Sequence, residues 1–488
     1  MSLKTNDRIA NIFLYVYHSS DNLLPLATFP TQVSDIEQHS FKYIFYQSII
    51  VKLKKIITTS SSIVLLATTT SSLATTGYFS LGYGPKSTAM AGAVVAAPQD
   101  ATIAAVNPAG IGSVGDRVDL SVMLFSPIRE ASLDPRAVGG TFEVRQKSSR
   151  DFFAIPAGGI SSKINDEFSW GLSVYGNGGM NTTYSRNIYD ETLAVLQNPA
   201  VSEGTTTGMA NTGELMIDLG QAVFAPTISY KVTPNHTFGI SALLGVQYFK
   251  AKGLGNFQGF TTPGSTDLTD TGYDFAYGAG VRLGWLGKIH EKITLGVAGS
   301  SPIYMTEFHK YSDLFAEQGG FDIPANFTAG IAFKPVSELL MSFDYQRIFY
   351  GSVNSIANIG PTLGPRIPAG QGSLGESNGL GFGWQDINVY RLGLKYQYNS
   401  QWSVSAGYSW NDRPFEADQL LFNIISPAVN TKHATFGISY SPDKSSEWNL
   451  AYQHAFKETM STNKTAFGVP GSVSMYQNAI EIGYSWKF

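Results

Sequence analysis

The last thirteen residues of the chain alternate strictly between two kinds of side chain. One face carries Tyr476, Asn478, Ile480, Ile482, Tyr484, Trp486 and Phe488; the other carries Gln477, Ala479, Glu481, Gly483, Ser485 and Lys487. Side chains of a β-strand point to opposite faces in turn, so this period of two describes a strand with lipid on one side and water on the other. Tyr484, Trp486 and Phe488 belong in an interfacial aromatic girdle. An edge strand of a soluble sandwich is the alternative. Such strands usually run about five to six residues, and they seldom expose so many aromatics.

The pattern recurs upstream. Trp402, Val404, Ala406, Tyr408 and Trp410 oppose Ser403, Ser405, Gly407, Ser409 and Asn411. Tyr390, Leu392, Leu394, Tyr396 and Tyr398 oppose Arg391, Gly393, Lys395 and Gln397, and Phe238, Ile240, Ala242, Leu244, Val246 and Tyr248 form another stripe. Alternation predicts strands at 118–127, 152–164, 168–185, 213–232, 236–252, 273–287, 292–306, 320–334, 338–351, 386–399, 401–412, 431–441, 446–459 and 473–488. Their number is even, as in single-chain bacterial membrane barrels. Connections alternate between short (165–167, 233–235, 288–291, 335–337, 442–445) and long (186–212, 253–272, 352–385, 413–430). Short turns belong on the periplasmic side and long loops outside. The expected fold is therefore all-β: a transmembrane antiparallel β-barrel of about fourteen strands over residues 118–488.

Composition agrees and excludes other classes. Charged residues are 14% of the 488, against about 25% in a soluble domain. Cysteine is absent, which excludes disulfide frameworks, thiolate metal sites and Cys nucleophiles. With 33 basic and 37 acidic side chains the net charge is −4, which argues against a nucleic-acid partner. No apolar stretch approaches the roughly 20 residues of a spanning helix, and mean hydropathy is −0.03. Strands that average a lipid face and a polar face give such a value.

Residues 51–74 read as a secretory signal peptide: a basic start at Lys52, Lys54 and Lys55, a short apolar run from Ile56 to Ala67, and a small-x-small cleavage site at Ser72–Ala74. Signal peptides begin near the N-terminus, yet fifty residues precede this one. No Met lies between Met1 and Met90. We read Val51 as the true initiator, decoded from a GTG codon, and 1–50 as a mis-annotated upstream extension. A genuine extension is the other reading. Residues 75–117 fit neither leader nor strand. They are rich in Ala and Gly, with Lys86, Asp100, Asp116 and Arg117 their ionised side chains. About eight strands already give a lumen that side chains just fill, so a wider barrel has room for this segment as an internal plug.

With these features the chain resembles the FadL family of outer-membrane transporters for long-chain fatty acids and other hydrophobic compounds. The resemblance rests on Gly84–Ala93 (GPKSTAMAGA) and on Asn107-Pro108-Ala109-Gly110, placed between the signal peptide and the first strand. The terminal Phe488 also resembles the signal that outer-membrane barrels present to their assembly machinery. The resemblance implies a cleaved precursor, residence in a Gram-negative outer membrane among its lipids, a monomer, and no cofactor, metal or enzymatic activity. It makes 75–117 an N-terminal hatch anchored by Asn107–Gly110, although an ordinary turn would read the same. It places a lateral opening in the third strand, where Gly176-Asn177-Gly178-Gly179 interrupts the run. Glycine weakens strand pairing and marks bulges, but a glycine-rich strand without an opening fits as well. It makes the apolar loop residues Leu193, Leu196, Leu314, Phe315, Leu420, Leu421 and Phe422 candidates for ligand capture, or simply for packing between loops. Arg282, Arg391 and Lys395 are candidates for attracting a carboxylate head group, or are paired inside the barrel.

No catalytic or metal constellation stands out: none of the seven His falls into HExxH or another close pair. The expected function is passive transport of long-chain fatty acids or similar hydrophobic compounds, captured at the loops and released laterally at the third strand. An aromatic-hydrocarbon channel or a general porin is the rival within transport. A surface adhesin or receptor barrel is the rival from another class.

Overall fold

The computed structural model describes residues 76–209, 213–364 and 366–488. The upstream extension (1–50), the signal peptide (51–74) and Thr75 lie outside the described residues. Fourteen strands close into an antiparallel barrel. They are β1 Arg117–Leu133, β2 Phe153–Lys163, β3 Phe168–Tyr184, β4 Leu215–Thr233 and β5 His236–Lys252. Then follow β6 Asp274–His290, β7 Ile293–Ser300, β8 Asn326–Val336, β9 Leu339–Ile348 and β10 Ile387–Gln397. The last four are β11 Trp402–Asn411, β12 Lys432–Tyr440, β13 Ser446–Thr462 and β14 Gly471–Lys487. Closure is made by β14 on β1, from Arg117↔Lys487 to Leu133↔Gly471. A closed sheet leaves no unpaired edge for lipid to solvate.

Burial is inverted relative to a water-soluble protein. On β14, Ile480 and Ile482 are 45% and 49% exposed, whereas Glu481 between them is 2% exposed. Leu392 and Leu394 stand outward on β10 while Arg391 is buried, and Phe238, Ile240 and Leu244 stand outward on β5 while Ser241 is buried. Ionic side chains inside an apolar skin are stable only with lipid outside. Near the short-turn end the outward aromatics pair across strands. Trp402 stacks on its register partner Tyr440 at 4.4 Å, and Trp448 meets Tyr484 at 4.8 Å.

Some strand bounds differ from those read in the sequence. β1 continues past Pro127 to Leu133. Beyond Phe125 it has no β2 partner, and the four-residue strand Val144–Lys147 joins it only from Glu130. Proline is tolerated where only one side needs a ladder. β7 ends at Ser300 and β8 begins at Asn326, so 301–325 is a further long loop. Pro302 breaks the run; Tyr304–Met305 then returns to pair with Gly278–Ala279 of β6.

The lumen has two halves. At the long-loop end, the loops fold inward as an apolar column. Tyr189 meets Phe257 at 4.9 Å, Phe257 meets Phe422 at 5.1 Å, and Phe249 meets Phe315 at 4.7 Å. The same apolar cluster reaches Trp384, Tyr350, Tyr78 and Phe79 near mid-barrel. Below that level buried ionic side chains such as Glu447 and Glu481 lie beside a smaller apolar cluster of Met90, Val94, Val95 and Ile103.

Candidate functional site

Residues 76–116 run inside the barrel and bond to strands on every side of it. The Lys86 ammonium pairs with Glu447 of β13 at 2.9 Å, and Glu447 also holds Lys487 at 3.3 Å. Thr88 donates to Glu481 of β14 at 2.6 Å. The Val95 N–H donates to Asp344 of β9 at 2.8 Å, and the Ala101 N–H to Asp119 of β1 at 2.8 Å. Four buried carboxylates on different strands thus hold one segment. The Lys86–Glu447 bond is charge-assisted, and such bonds are about twice as strong as neutral ones. Short turns shape the segment between anchors: Gly84 at φ +83° precedes the helix Pro85–Ala89, and Asp100 caps the turn Ala101–Ala105 by accepting from the Thr102 N–H. Burial, and then the nearby Asp119 carboxylate, raise the Asp100 pKa above the ordinary range.

Asn107-Pro108-Ala109-Gly110 is one of these anchors. Asn107 is fully buried and accepts from the Ala109 N–H at 3.0 Å, capping the turn Pro108–Gly110. Its amide donates to the carbonyl of Val95 at 2.8 Å and to that of Trp285 on β6 at 3.0 Å. One side chain therefore ties two parts of the segment to the wall. Beneath it lie Gly239 of β5 and Gly284 of β6, paired in register. A Cβ at Gly239 would overlap Pro108 and Ala109, and one at Gly284 would overlap Asn107 and Pro108. The pair Gly296 and Gly330, also in register, receives Val95 in the same way. These glycines were missed in the sequence, where they read as ordinary barrel composition. The signal was their shared lumenal phase on neighbouring strands.

The glycine run of β3 lies at a break in the wall. β2 and β3 pair only from Lys163↔Ser169 to Gly158↔Val174. β4 follows β3 to Tyr184, with a bulge between Gly176 and Gly178. Higher up, the Ser149 N–H donates to the Thr183 carbonyl at 2.8 Å. Between these two closures 153–157 of β2, still paired with β1, and 175–182 of β3, still paired with β4, have no ladder with each other, which leaves a window. Gly176–Thr182 are buried on both faces, unlike the alternating stretch Phe168–Val174. The inner segment supplies the missing neighbour from the lumen side. The Ser80 N–H donates to the Asn177 carbonyl at 3.0 Å, the Gly179 N–H donates to the Tyr78 carbonyl at 3.2 Å, and the Ser80 hydroxyl donates to the Gly176 carbonyl at 3.2 Å. Asn177 donates from its amide to Gln221 at 3.1 Å. Gly178 carries no side chain because the Tyr78 carbonyl occupies that space. Tyr78–Ser80 were not singled out in the sequence, where nothing local marks them.

The other candidate residues are placed differently from a display at the surface. Phe315, Leu420, Leu421 and Phe422 are buried, and Leu193, Leu196 and Leu314 pack against the same cluster. Of the two readings the sequence left open, these side chains are found packed between loops that fold into the lumen. Arg282 is committed to neighbours, whereas the buried Arg391 Nε–H has no hydrogen-bond partner. Arg282 donates to Ser300 at 2.7 Å, to the Ala104 carbonyl at 3.0 Å and to Tyr175 at 3.1 Å. Arg391 donates to Gln346 at 2.7 Å. The cavity they share measures about 20 Å³, room for a water molecule and not for a ligand. Lys395 is apart from them, in a recess of about 620 Å³ at the short-turn mouth, donating to Gln99 at 3.0 Å. The structure does not bring the three cations together.

Residues 66–486 match the family model described as outer membrane protein transport protein (OMPP1/FadL/TodX). Among solved structures, the Pseudomonas putida toluene transporter TodX is similar at TM-score 0.61 and 20% identity, covering 84% of this chain and 99% of that one. A Pseudomonas aeruginosa FadL homologue is similar at TM-score 0.61 and 15% identity, covering 84% and 100%. The Ralstonia pickettii toluene transporter TbuX is similar at TM-score 0.56 and 19% identity, covering 84% and 99%. No curated protein matches the chain in sequence.

Proposed function

The chain belongs to the outer membrane protein transport protein family (OMPP1/FadL/TodX), and on that premise we propose that its hydrophobic cargo leaves the barrel sideways, through the window between β2 and β3. The supporting observation is the loss of β2–β3 pairing above Gly158↔Val174, with Tyr78–Ser80 bonded to the backbone of Gly176–Gly179 that β2 leaves unpaired. Unsatisfied backbone at membrane depth is costly. A wall that omits part of its ladder and substitutes a removable neighbour is built to open there.

The division of the lumen supports the same route. A hydrophobic solute entering among the loops meets apolar side chains as far as Tyr78 and Phe79. Below, it would have to displace Arg282, Asp344 and Glu481, each already hydrogen-bonded. The lower energy exit is lateral, into the hydrocarbon core. Residues 76–116 act as the hatch that keeps the barrel shut toward the short-turn side. Movement runs down the solute's gradient, and the benefit is bypass of the polar outer leaflet. The cargo is a long-chain fatty acid or an aromatic hydrocarbon; the relatives described as toluene transporters support the second.

The test is uptake of labelled oleate and of toluene by cells that lack their own transporter and express residues 51–488. Uptake of either above vector control is expected. A correctly inserted barrel that takes up neither would remove the proposal.

A further inference from the structure

The short-turn mouth of the lumen opens into a recess of two adjoining lobes, about 430 and 620 Å³, which share Gln99, Glu338, Lys395 and Gln397 in their walls. That is the size of a small-molecule site. Seven basic side chains line the recess against three acidic ones. Some of the cations are engaged. Arg117 holds Asp119 at 2.6 Å, and Lys86 and Lys487 share Glu447 at 2.9 and 3.3 Å. Lys292 donates to the Pro335 carbonyl at 2.8 Å. Lys288, Lys334 and Lys395 have no ion-pair partner among the described residues. Lys395 donates only to the neutral amide oxygen of Gln99, at 3.0 Å.

These three lysines hold lumenal positions on alternate strands. Lys288 is in phase with Gly284 on β6, Lys334 with Gly330 on β8, and Lys395 with Arg391 on β10. One strand separates each from the next: Lys288 pairs with Thr294 of β7, and Lys395 with Leu340 of β9. Neighbouring strands lie about 4.8 Å apart, so alternate strands bring their Cα atoms to within about 10 Å. The flexible four-carbon stem of lysine lets such ammonium groups converge. A cleft lined by one sign of charge focuses its field and concentrates counter-ions. A monovalent ion answers one lysine, whereas a multivalent oxyanion accepts from several, and lysine binds phosphate as a point charge. The barrel wall stands between these lumenal side chains and the bilayer, so the occupant comes from the aqueous side. We propose that this recess binds a soluble, multivalent oxyanion of the phosphate class, held by Lys288, Lys334 and Lys395 over Gln99 of the inner segment. The site is separate from the lateral route: the ionic anchors of the inner segment at Asp344 and Glu481 lie between the apolar column and this mouth.

The experiment is calorimetric titration of the detergent-purified full chain with inorganic pyrophosphate, inorganic phosphate and acetate, at an ionic strength of about 0.15 M. The variants are Lys395→Met, the double variant Lys288→Met with Lys334→Met, and Lys444→Met, whose lysine is exposed on the turn between β12 and β13 and outside the recess. Heat-modifiable migration verifies each barrel. The wild type should bind pyrophosphate saturably and at least tenfold more tightly than acetate, with phosphate between them. K395M should weaken pyrophosphate at least fivefold and the double variant at least tenfold, while K444M stays within twofold. Absence of saturable pyrophosphate binding, equal affinity for pyrophosphate and acetate, or an affinity unchanged in K395M and in the double variant overturns the proposal. A loss in K444M as large as in the others also overturns it, because general surface charge would then be the cause. If K395M does not fold, the double variant decides. Failure of the site leaves the lateral route standing, since oleate and toluene uptake does not pass these lysines.

Discussion

Gly239 and Gly284 face each other across β5 and β6, and together they form the floor on which Asn107 and Pro108 rest. Neither position has space for a Cβ. Gly284→Val should therefore lift the Asn107 turn, at a stability loss of about 1–3 kcal/mol typical of overpacking. The measurement is single-channel conductance in planar bilayers. The wild type should be closed to ions, and G284V should show openings. A silent G284V barrel would mean that the inner segment is not what closes the lumen.

Glu447 links the inner segment to β13 through Lys86. Removing Lys86 leaves Glu447 with Lys487, but removing Glu447 leaves Lys86 buried without its ion-pair partner. Breaking a buried pair from that side costs about 3–5 kcal/mol. Glu447→Ala should thus loosen the segment far more than Lys86→Met. The chain has no cysteine, so a single Ala97→Cys reports access directly. Maleimide labelling of A97C should quicken strongly with E447A and only slightly with K86M.

Ile480 tests the inverted polarity. It stands outward, 45% exposed, in the middle of the last aromatic stripe, and Glu481 beside it faces inward. Ile480→Lys should lower folding stability in vesicles by about 2–4 kcal/mol, as expected of a cation on the lipid face near the midplane. Urea titration of vesicle-inserted protein reads the loss. An unchanged midpoint would place Ile480 away from lipid.

The turn between β12 and β13 carries a pH dependence. The Asp443 carboxylate accepts from the hydroxyls of Ser446 and Ser445, each at 2.7 Å, and from their N–H groups, each at 2.8 Å. These bonds, the Ser446 hydroxyl foremost, lower its pKa to about 2. An acid whose folded pKa is depressed stabilises the fold fully above its ordinary value near 4. That contribution is lost as pH falls through about 2. NMR titration of the Asp443 carboxyl should show the low value, and Ser446→Ala should move it upward.

The membrane strands were legible because their signal is local. A strand that separates lipid from a polar lumen writes its two faces into adjacent residues, and Tyr476–Phe488 needs no partner to be recognised. The number of strands and the alternation of short and long connections followed from the same period. What sequence reading could not supply depends on register between distant strands. Gly239 and Gly284 become a socket only once β5 and β6 are aligned. Tyr78–Ser80 acquire meaning only beside Gly176–Gly179, nearly a hundred positions later. The loop residues Leu420–Phe422 looked like an exposed patch because the alternation that marks an outward face does not apply to loops. Their burial comes from Tyr189 and Phe257 in two other loops, which fold over them. Whether Arg282 meets a ligand or a partner inside the barrel stayed open in the sequence, because the carbonyl of Ala104 that engages it belongs to the inner segment.

The central claim is that hydrophobic cargo passes through the gap above Gly158↔Val174. Deleting Asn177 removes the residue at the β3 bulge and brings the strand back toward a regular ladder. At matched outer-membrane levels, with heat-modifiable migration intact, uptake of oleate or toluene by cells expressing the deletion should fall to the vector level. Uptake equal to the wild type would contradict lateral release.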